Sequence, residues 1–264
     1  DTTPRKFTYE VGFNMTYFNS LWKVKADEAL SDLMNPYKRQ THQTDYYGLG
    51  YIDTGLYQNK EDILNSPRRL GSTQTKLGDI GYTDVNGDGK IDGEDQVRIG
   101  KPTMPHFTYA FDFSLGYEGF TLSGLLYGTG ERYMTFGNRY QSGEGKYLYY
   151  ENQLNYWRPD NTGADFPRIS ISSGVNGNNN KAGSTFWMRN ASYLRLKDLQ
   201  LSYDFKYKYL KKCDWLQTCR VNLSGSNLFT ISGVSKFFDP ETSSTSGDGY
   251  PVQRVYSIGV TIGF

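Results

Sequence analysis

The strongest constraint on the fold is an apolar–polar alternation that runs unbroken through whole segments. In HFTYAFDFSLGY, Phe107, Tyr109, Phe111, Phe113, Leu115 and Tyr117 share one parity, and Thr108, Ala110, Asp112, Ser114 and Gly116 the other. Successive side chains of a strand point to opposite faces, so this pattern specifies a strand with one apolar and one polar face. KFTYEVGFNMTYF repeats it, with Phe7, Tyr9, Val11, Phe13, Met15 and Tyr17 set against Thr8, Glu10, Gly12, Asn14 and Thr16. In GFTLSGLLYG, Phe120, Leu122 and Leu126 share a face. YLRLKDLQLSYDF changes phase: Leu194 and Leu196 lie on one parity, and Leu199, Leu201, Tyr203 and Phe205 on the other. A β-bulge near Lys197–Asp198 is predicted from that slip. CRVNLSGSNLFTI and QRVYSIGVTIGF complete the set, and a short strand near LWKVKA brings the expectation to about seven strands.

These segments run to about ten residues, against the usual five or six, and about ten is what a tilted strand needs to cross a bilayer. A β-sandwich also alternates, so the connections carry more weight. Asn19–Ser20 and Tyr117–Gly119 read as short turns and 206–218 as a moderate one, whereas 28–105, 130–187 and 230–252 are long. Short turns on one side and long loops on the other are the habit of outer-membrane barrels. Composition agrees: 23 Tyr, 29 Gly and 16% aromatic residues accompany a mean hydropathy of −0.66. The fold class expected is all-β, a transmembrane antiparallel barrel seen in part. Residues 1–27 and 106–264 supply strands, and 28–105 forms a long extracellular loop.

The long connections carry their own signals. NKEDILNSP predicts a short helix with Asn59 as N-cap and Pro67 as terminator. YLYYENQLNYWRPDN predicts another, ended by Pro159. DVNGDGKIDGED has the spacing of a calcium loop. Ligands at positions 1, 3, 5, 7, 9 and 12 are Asp84, Asn86, Asp88, Lys90 through its carbonyl, Asp92 and Asp95. Gly89 falls where such a loop turns sharply, and Ile91 can anchor it on apolar neighbours. Position 12 is Asp, so the last ligand reaches less far than Glu. The competing reading is an Asx-rich turn. On the calcium reading, the ion stiffens an external excursion with little core of its own.

Function classes are narrowed by what the sequence lacks. With 29 basic and 28 acidic residues and no basic run, no nucleic-acid partner is expected. No apolar stretch is long enough for a transmembrane helix, and no signal peptide is visible at Asp1. His42 and His106 are far apart in sequence, no G-x-S-x-G or H-E-x-x-H pattern occurs, and no enzyme is expected. Asp92, Glu94 and Asp95 read as calcium ligands or solvated loop rather than an acid–base pair. Tyr147, Tyr149, Tyr150 and Trp157 are aromatics that either stack on a sugar or peptide or pack the loop on itself.

Several motifs together point further. GLYQNKEDILNSP, LGDIGYTDVNGDGKIDGEDQVRIGKPTMPHFTYAFDFSLGYEGFTLS, NYWRPDN, SYLRLKDLQLSYDF, VNLSGSNLFTIS, FFDPE and YPVQRVYSIGVTIGF occur in order across residues 51 to 264. This series resembles the carboxy-terminal third of SusC-like TonB-dependent outer-membrane transporters. The resemblance implies a 22-stranded barrel with a plug, a SusD-like surface lipoprotein as lid, energy from the TonB complex, and import of oligosaccharides or peptides. It implies an outer-membrane, multi-pass location in contact with lipid. Plug and TonB-contacting segments have no counterpart in these residues. The alternative function is a secreted, soluble all-β calcium-binding module for glycans or peptides; a structural porin is a third.

Three further expectations concern the strand ends. Cys213 and Cys219, the two cysteines, flank the moderate turn and are expected to form a disulfide. Tyr256, Ile258, Val260, Ile262 and Phe264 are expected to face lipid, with Phe264 resembling an insertion signal. Seven strands would start the Lys6 strand at the outer surface, and both free edges would need partner strands to close the barrel.

Overall fold

The structure is a computed structural model that describes residues 7–44, 48–69, 75–99, 102–141, 150–169, 179–242, 245–246, 249–250 and 252–264. It is mostly β. Six long strands form one sheet: β1 (Phe7–Tyr17), β2 (Phe107–Tyr117), β3 (Phe120–Gly130), β4 (Tyr193–Asp204), β5 (Thr218–Ser232) and β6 (Val255–Gly263). Each is antiparallel to the next, in chain order. Among the described residues the sheet does not close, and β1 and β6 are its edges. No described helix is long and apolar enough to cross a membrane.

Register turns sequence alternation into two continuous faces. Phe13 pairs with Phe111, Phe111 with Leu126, Leu126 with Leu196, and Leu196 with Phe229. One apolar row therefore crosses five strands. On the opposite face Gly12 pairs with Asp112, Asp112 with Leu125, Leu125 with Asp198, and Asp198 with Ser226. The bulge predicted near Lys197–Asp198 is present: the register shifts between Leu196 and Asp198 against both neighbours. It lets β4 keep leucines on the apolar face throughout. Phe107, Tyr109 and Phe113 stand opposite Gly130, Gly128 and Gly124, and each ring occupies the space a Cβ there would need. Aromatic rings thus cover what glycine leaves open.

Three expectations are corrected. LWKVKA forms no strand; Trp22 instead exchanges backbone hydrogen bonds with His42 and Gln43, at 2.7 and 2.9 Å, around a left-handed His42. Among the described residues the sheet therefore has six strands rather than about seven, 19–20 is no hairpin turn, and β1 starts at the end of the sheet where β6 finishes. The cysteines are free thiols. Cys219 sits inside β5 opposite Ile262, whereas the Cys213 amide closes a turn onto the Leu210 carbonyl, so the two belong to different local structures. The helix expected to run to Pro159 is reduced to a 3-10 turn at Glu151–Leu154. Its first part, 147–149, lies outside the described residues, and Tyr147 and Tyr149 with it.

The helix Lys60–Asn65 forms as predicted. Asn59 accepts from the Asp62 amide and Asp62 accepts from the Asn59 amide, a reciprocal cap. The long connections all leave the same end of the sheet and pack together. Tyr51, Ile80, Tyr82 and Ile91 from the first meet Phe136, Tyr140, Phe166 and Trp187 from the second, with Phe237 and Phe238 of the third against them. The first excursion therefore has a core that it shares with the other two.

Candidate functional site

The glycine-punctuated loop is built as its sequence suggests. Gly87 and Gly89 adopt φ of 77° and 80°, a region that side chains with a Cβ avoid. Asp84 accepts from the amides of Gly87 at 2.6 Å and Gly89 at 2.8 Å. Asn86 accepts from the Asp88 amide and Asp88 from the Lys90 amide. Asp95 is fully buried and accepts from Val85 and Asp92 amides at 2.9 and 2.8 Å. Asp92 caps the turn 93–95 through the Glu94 amide. Ile91 is buried in the shared aromatic core and anchors the loop as expected. Lys90 is exposed, in a two-residue parallel bridge with Arg68.

These six residues are near in sequence and wound around one turn, but the Asp84, Asn86, Asp88, Asp92 and Asp95 side chains accept from backbone amides. Among the described residues no three His, Cys, Asp or Glu side chains are gathered as a metal site. The donors are all oxygen, the chemistry a calcium ion takes. A carboxylate oxygen that accepts one amide also retains a lone pair. The donor set fits calcium, and the loop also stands on its own hydrogen bonds.

A second cluster lies where β4 and β5 meet the loops, and sequence reasoning did not single it out. Arg195 is fully buried on the polar face of the sheet. It donates to Thr230 at 2.8 Å, to Asp239 at 2.5 Å and to Glu241 at 2.6 Å. Lys197 at the bulge and the Tyr193 hydroxyl also donate to Glu241, at 2.8 and 2.6 Å. Burial raises the proton affinity of Glu241, but the hydrogen bonds from Lys197 and Tyr193 and the charges of Arg195 and Lys197 outweigh it, so its carboxyl sits below the usual range. Phe237 and Phe238, just before, plug into the aromatic core: Phe136 meets them edge-on at 4.8 and 5.9 Å. FFDPE therefore joins the loop body to the sheet. The legible signal was the pair of cations, Arg195 and Lys197, two residues apart on the polar parity of β4.

Other buried polar groups are structural in the same sense. Asp79 accepts from Arg168 at 2.6 Å and from Asn180 at 3.1 Å. Burial pushes the Arg189 guanidinium down; it lies 5.2 Å from the centre of the Phe136 ring. Trp157 is buried and donates to Gln58, and Tyr150 stacks near Tyr140 and donates to Ser246. Both described loop aromatics therefore pack the loops. His106 pairs with Glu131, at 2.9 Å, and not with His42.

Two curated relatives are TonB-dependent receptors P3 and P26 of Formosa agariphila, 27% and 26% identical over 228 residues, or 81% and 80% of this chain. The chain is homologous to TonB-dependent receptors. It spans 22% of the length of each of these relatives. The RagAB peptide transporter shares the fold, with a TM-score of 0.67 over 100% of this chain and 28% of that one, at 21% identity. The RagAB peptide importer in its 'open-open' state agrees, with a TM-score of 0.66. No family model matches the chain.

Proposed function

We propose that this chain is part of a TonB-dependent transporter barrel in the bacterial outer membrane, importing oligosaccharides or peptides. The observation that carries the reading is the apolar face that runs across the sheet: Tyr9, Phe13, Leu201, Leu223, Phe229 and Ile258 on it are exposed, and Leu196 in mid-sheet is buried. Ile258 and Tyr9 are each 74% exposed, on a face that no layer covers among the described residues. A secreted soluble module would need that face closed into a core. Lipid is the medium that accepts it. The two free edges call for further strands, from the same polypeptide or another, because unpaired backbone in lipid is prohibitive. Homology to TonB-dependent receptors supports energy coupling through TonB, and likeness to RagAB supports peptide among the two substrate classes. Val24, Leu30, Met34 and Tyr37 are exposed on the first connection, which suits a SusD-like lipoprotein lid.

The test is fractionation followed by uptake. The protein should enter the outer-membrane fraction, leave it only with detergent, and support uptake of labelled peptide or oligosaccharide that stops when TonB is deleted. Recovery in the soluble fraction, or TonB-independent uptake, would overturn the reading.

The same proposal includes calcium at Asp84, Asn86, Asp88, the Lys90 carbonyl, Asp92 and Asp95. The ion would tie the loop's acidic side chains to one centre and stiffen residues 66–105. An extracellular site of this type needs only about 10⁻⁴ to 10⁻³ M affinity. Chelation, or the double change Asp84→Ala and Asp88→Ala, should speed proteolysis in the loop. Identical digestion with millimolar calcium and with chelator would refute the ion.

A further inference from the structure

At the end of the sheet away from the long loops, the apolar face carries a cleft of about 800 Å³. Its floor is β3 and β4, which are interior strands of the sheet, so no other barrel strand is needed to build it. Phe120 and Tyr203, an adjacent pair, have ring centres 4.4 Å apart. The chain then leaves β4 in a 3-10 turn, Phe205–Tyr207, and the amides of Tyr209 and Leu210 both return to the Phe205 carbonyl. This folds Phe205 and Tyr209 beside Tyr203, at 5.0 and 6.3 Å between ring centres. The opposite wall is the Glu118–Gly119 turn, with both residues at positive φ. Lys208 and Lys211 are exposed and line the cleft with these rings. Lys206 and Lys212 lie in the same stretch, and Lys206 is engaged with the Leu216 carbonyl. Glu118 is the carboxylate of the lining.

We propose that this cleft holds a phospholipid with an anionic headgroup, its phosphate on Lys208 and Lys211 and its glycerol and upper acyl chain against the rings of Phe120, Tyr203, Phe205 and Tyr209. The proposal rests on the reading that the apolar face lies in a membrane. The chemistry is specific to the place. Aromatic rings with polar tips suit the boundary between acyl chain and headgroup, and lysines snorkel from an apolar stem to that level. A free phosphate would use the lysines but leave the four rings uncovered. A choline headgroup would use the rings, with the lysines opposing it.

The experiment uses the full protein purified in detergent and exchanged into nanodiscs of phosphatidylcholine doped with phosphatidylglycerol of matched chains. Lipid retained through mild detergent stripping is then counted by native mass spectrometry. Wild type should retain phosphatidylglycerol in preference to phosphatidylcholine. Lys208→Gln with Lys211→Gln should lower that preference by about fivefold per lysine. Tyr203→Leu should lower retention of both lipids, and Lys60→Gln, on the helix of the loop body, should change neither. Equal retention in the double lysine variant and wild type would overturn the site, as would equal retention of the two lipids by wild type. So would displacement of the lipid by millimolar inorganic phosphate, which would assign the lysines to the free ion. A protein that needs no detergent would instead overturn the membrane reading, whatever the lysine variants do.

Discussion

The sheet and the loop body are made from the same kinds of residue and stabilised in opposite ways. In the loop body Trp187, Ile80 and Val234 have no exposed surface at all. In the sheet Phe13 is 64% exposed, and Val260 62%. The loops bury their aromatics against each other, and their contacts reach far along the sequence: Tyr82 and Asn179, 97 residues apart, are joined by a buried hydrogen bond of 2.6 Å. The sheet makes its hydrogen bonds between neighbouring strands and leaves its apolar row outside. The difference teaches that hydrophobic content alone does not locate a core. A strand whose apolar side meets lipid needs no partner layer, whereas a loop meeting water does.

The comparison breaks most visibly at Trp187. Trp187→Ala removes the largest fully buried side chain and its 2.8 Å bond to the Asn180 carbonyl. A loss of about 4 kcal/mol of loop-body stability is expected, read by hydrogen exchange on detergent-solubilised protein. Ile258→Ala, on the exposed apolar face, should change the same measurement by less than about 0.5 kcal/mol. Equal effects would mean that the two regions share one core.

Arg195→Ala tests the joint between the regions. The change leaves Asp239, partly buried, without its Arg195 partner and Glu241 with Lys197 alone as its cation. A cost of about 3 kcal/mol is expected, concentrated in 233–242, because removing one partner of a buried pair strands the other. Exchange in the sheet interior should not change. Uniform destabilisation of β4 and β5 would place the role of Arg195 in the sheet rather than in the joint.

The two faces of the sheet are distinguished by adjacent residues. Leu223 lies on the apolar row opposite Leu201 and Ile258, and Ser224 on the polar side opposite Gln200 and Ser257. Leu223→Lys should lower stability in a bilayer by about 2 kcal/mol, and Ser224→Lys by far less. Unfolding in urea from lipid vesicles measures both. Similar effects at the two positions would remove the lipid-facing assignment.

What was legible in the sequence follows from range. Alternation is local, so the six long strands, their faces and even the bulge at Lys197 were readable from parity. The Asn59 cap was readable for the same reason, since Asn59 and Asp62 form it within one turn. The LWKVKA stretch misled because three alternating positions do not distinguish a strand from an extended segment pinned by Trp22 and His42. The loop core was not legible. Ile80, Phe136 and Trp187 have no shared period, and their contact depends on three connections leaving one end of the sheet. The Arg195 cluster was half legible: Arg195 and Lys197 stood out as the cations of the polar side of β4, but nothing local assigned Asp239 and Glu241 to them.

The smallest expected effect sharpens that joint through pH. Glu241 faces Arg195, Lys197 and the Tyr193 hydroxyl, and Asp239 shares Arg195. Its folded carboxyl titrates below the ordinary 4.5, the opposing cost of burial being outweighed by its donors and neighbouring cations. A depressed carboxylate contributes its stabilisation above the unfolded value and loses it as pH falls through the folded one. Opening of residues 233–242, after correction for the intrinsic pH dependence of exchange, should therefore be constant at neutral pH and increase below about pH 4.5. Glu241→Gln should raise opening at neutral pH and flatten the acid response, while exchange within β2 and β3 stays unchanged in both proteins. An acid response of the same size in Glu241→Gln would show that Glu241 is not the group responsible, and leave it as a packing group beneath Tyr193.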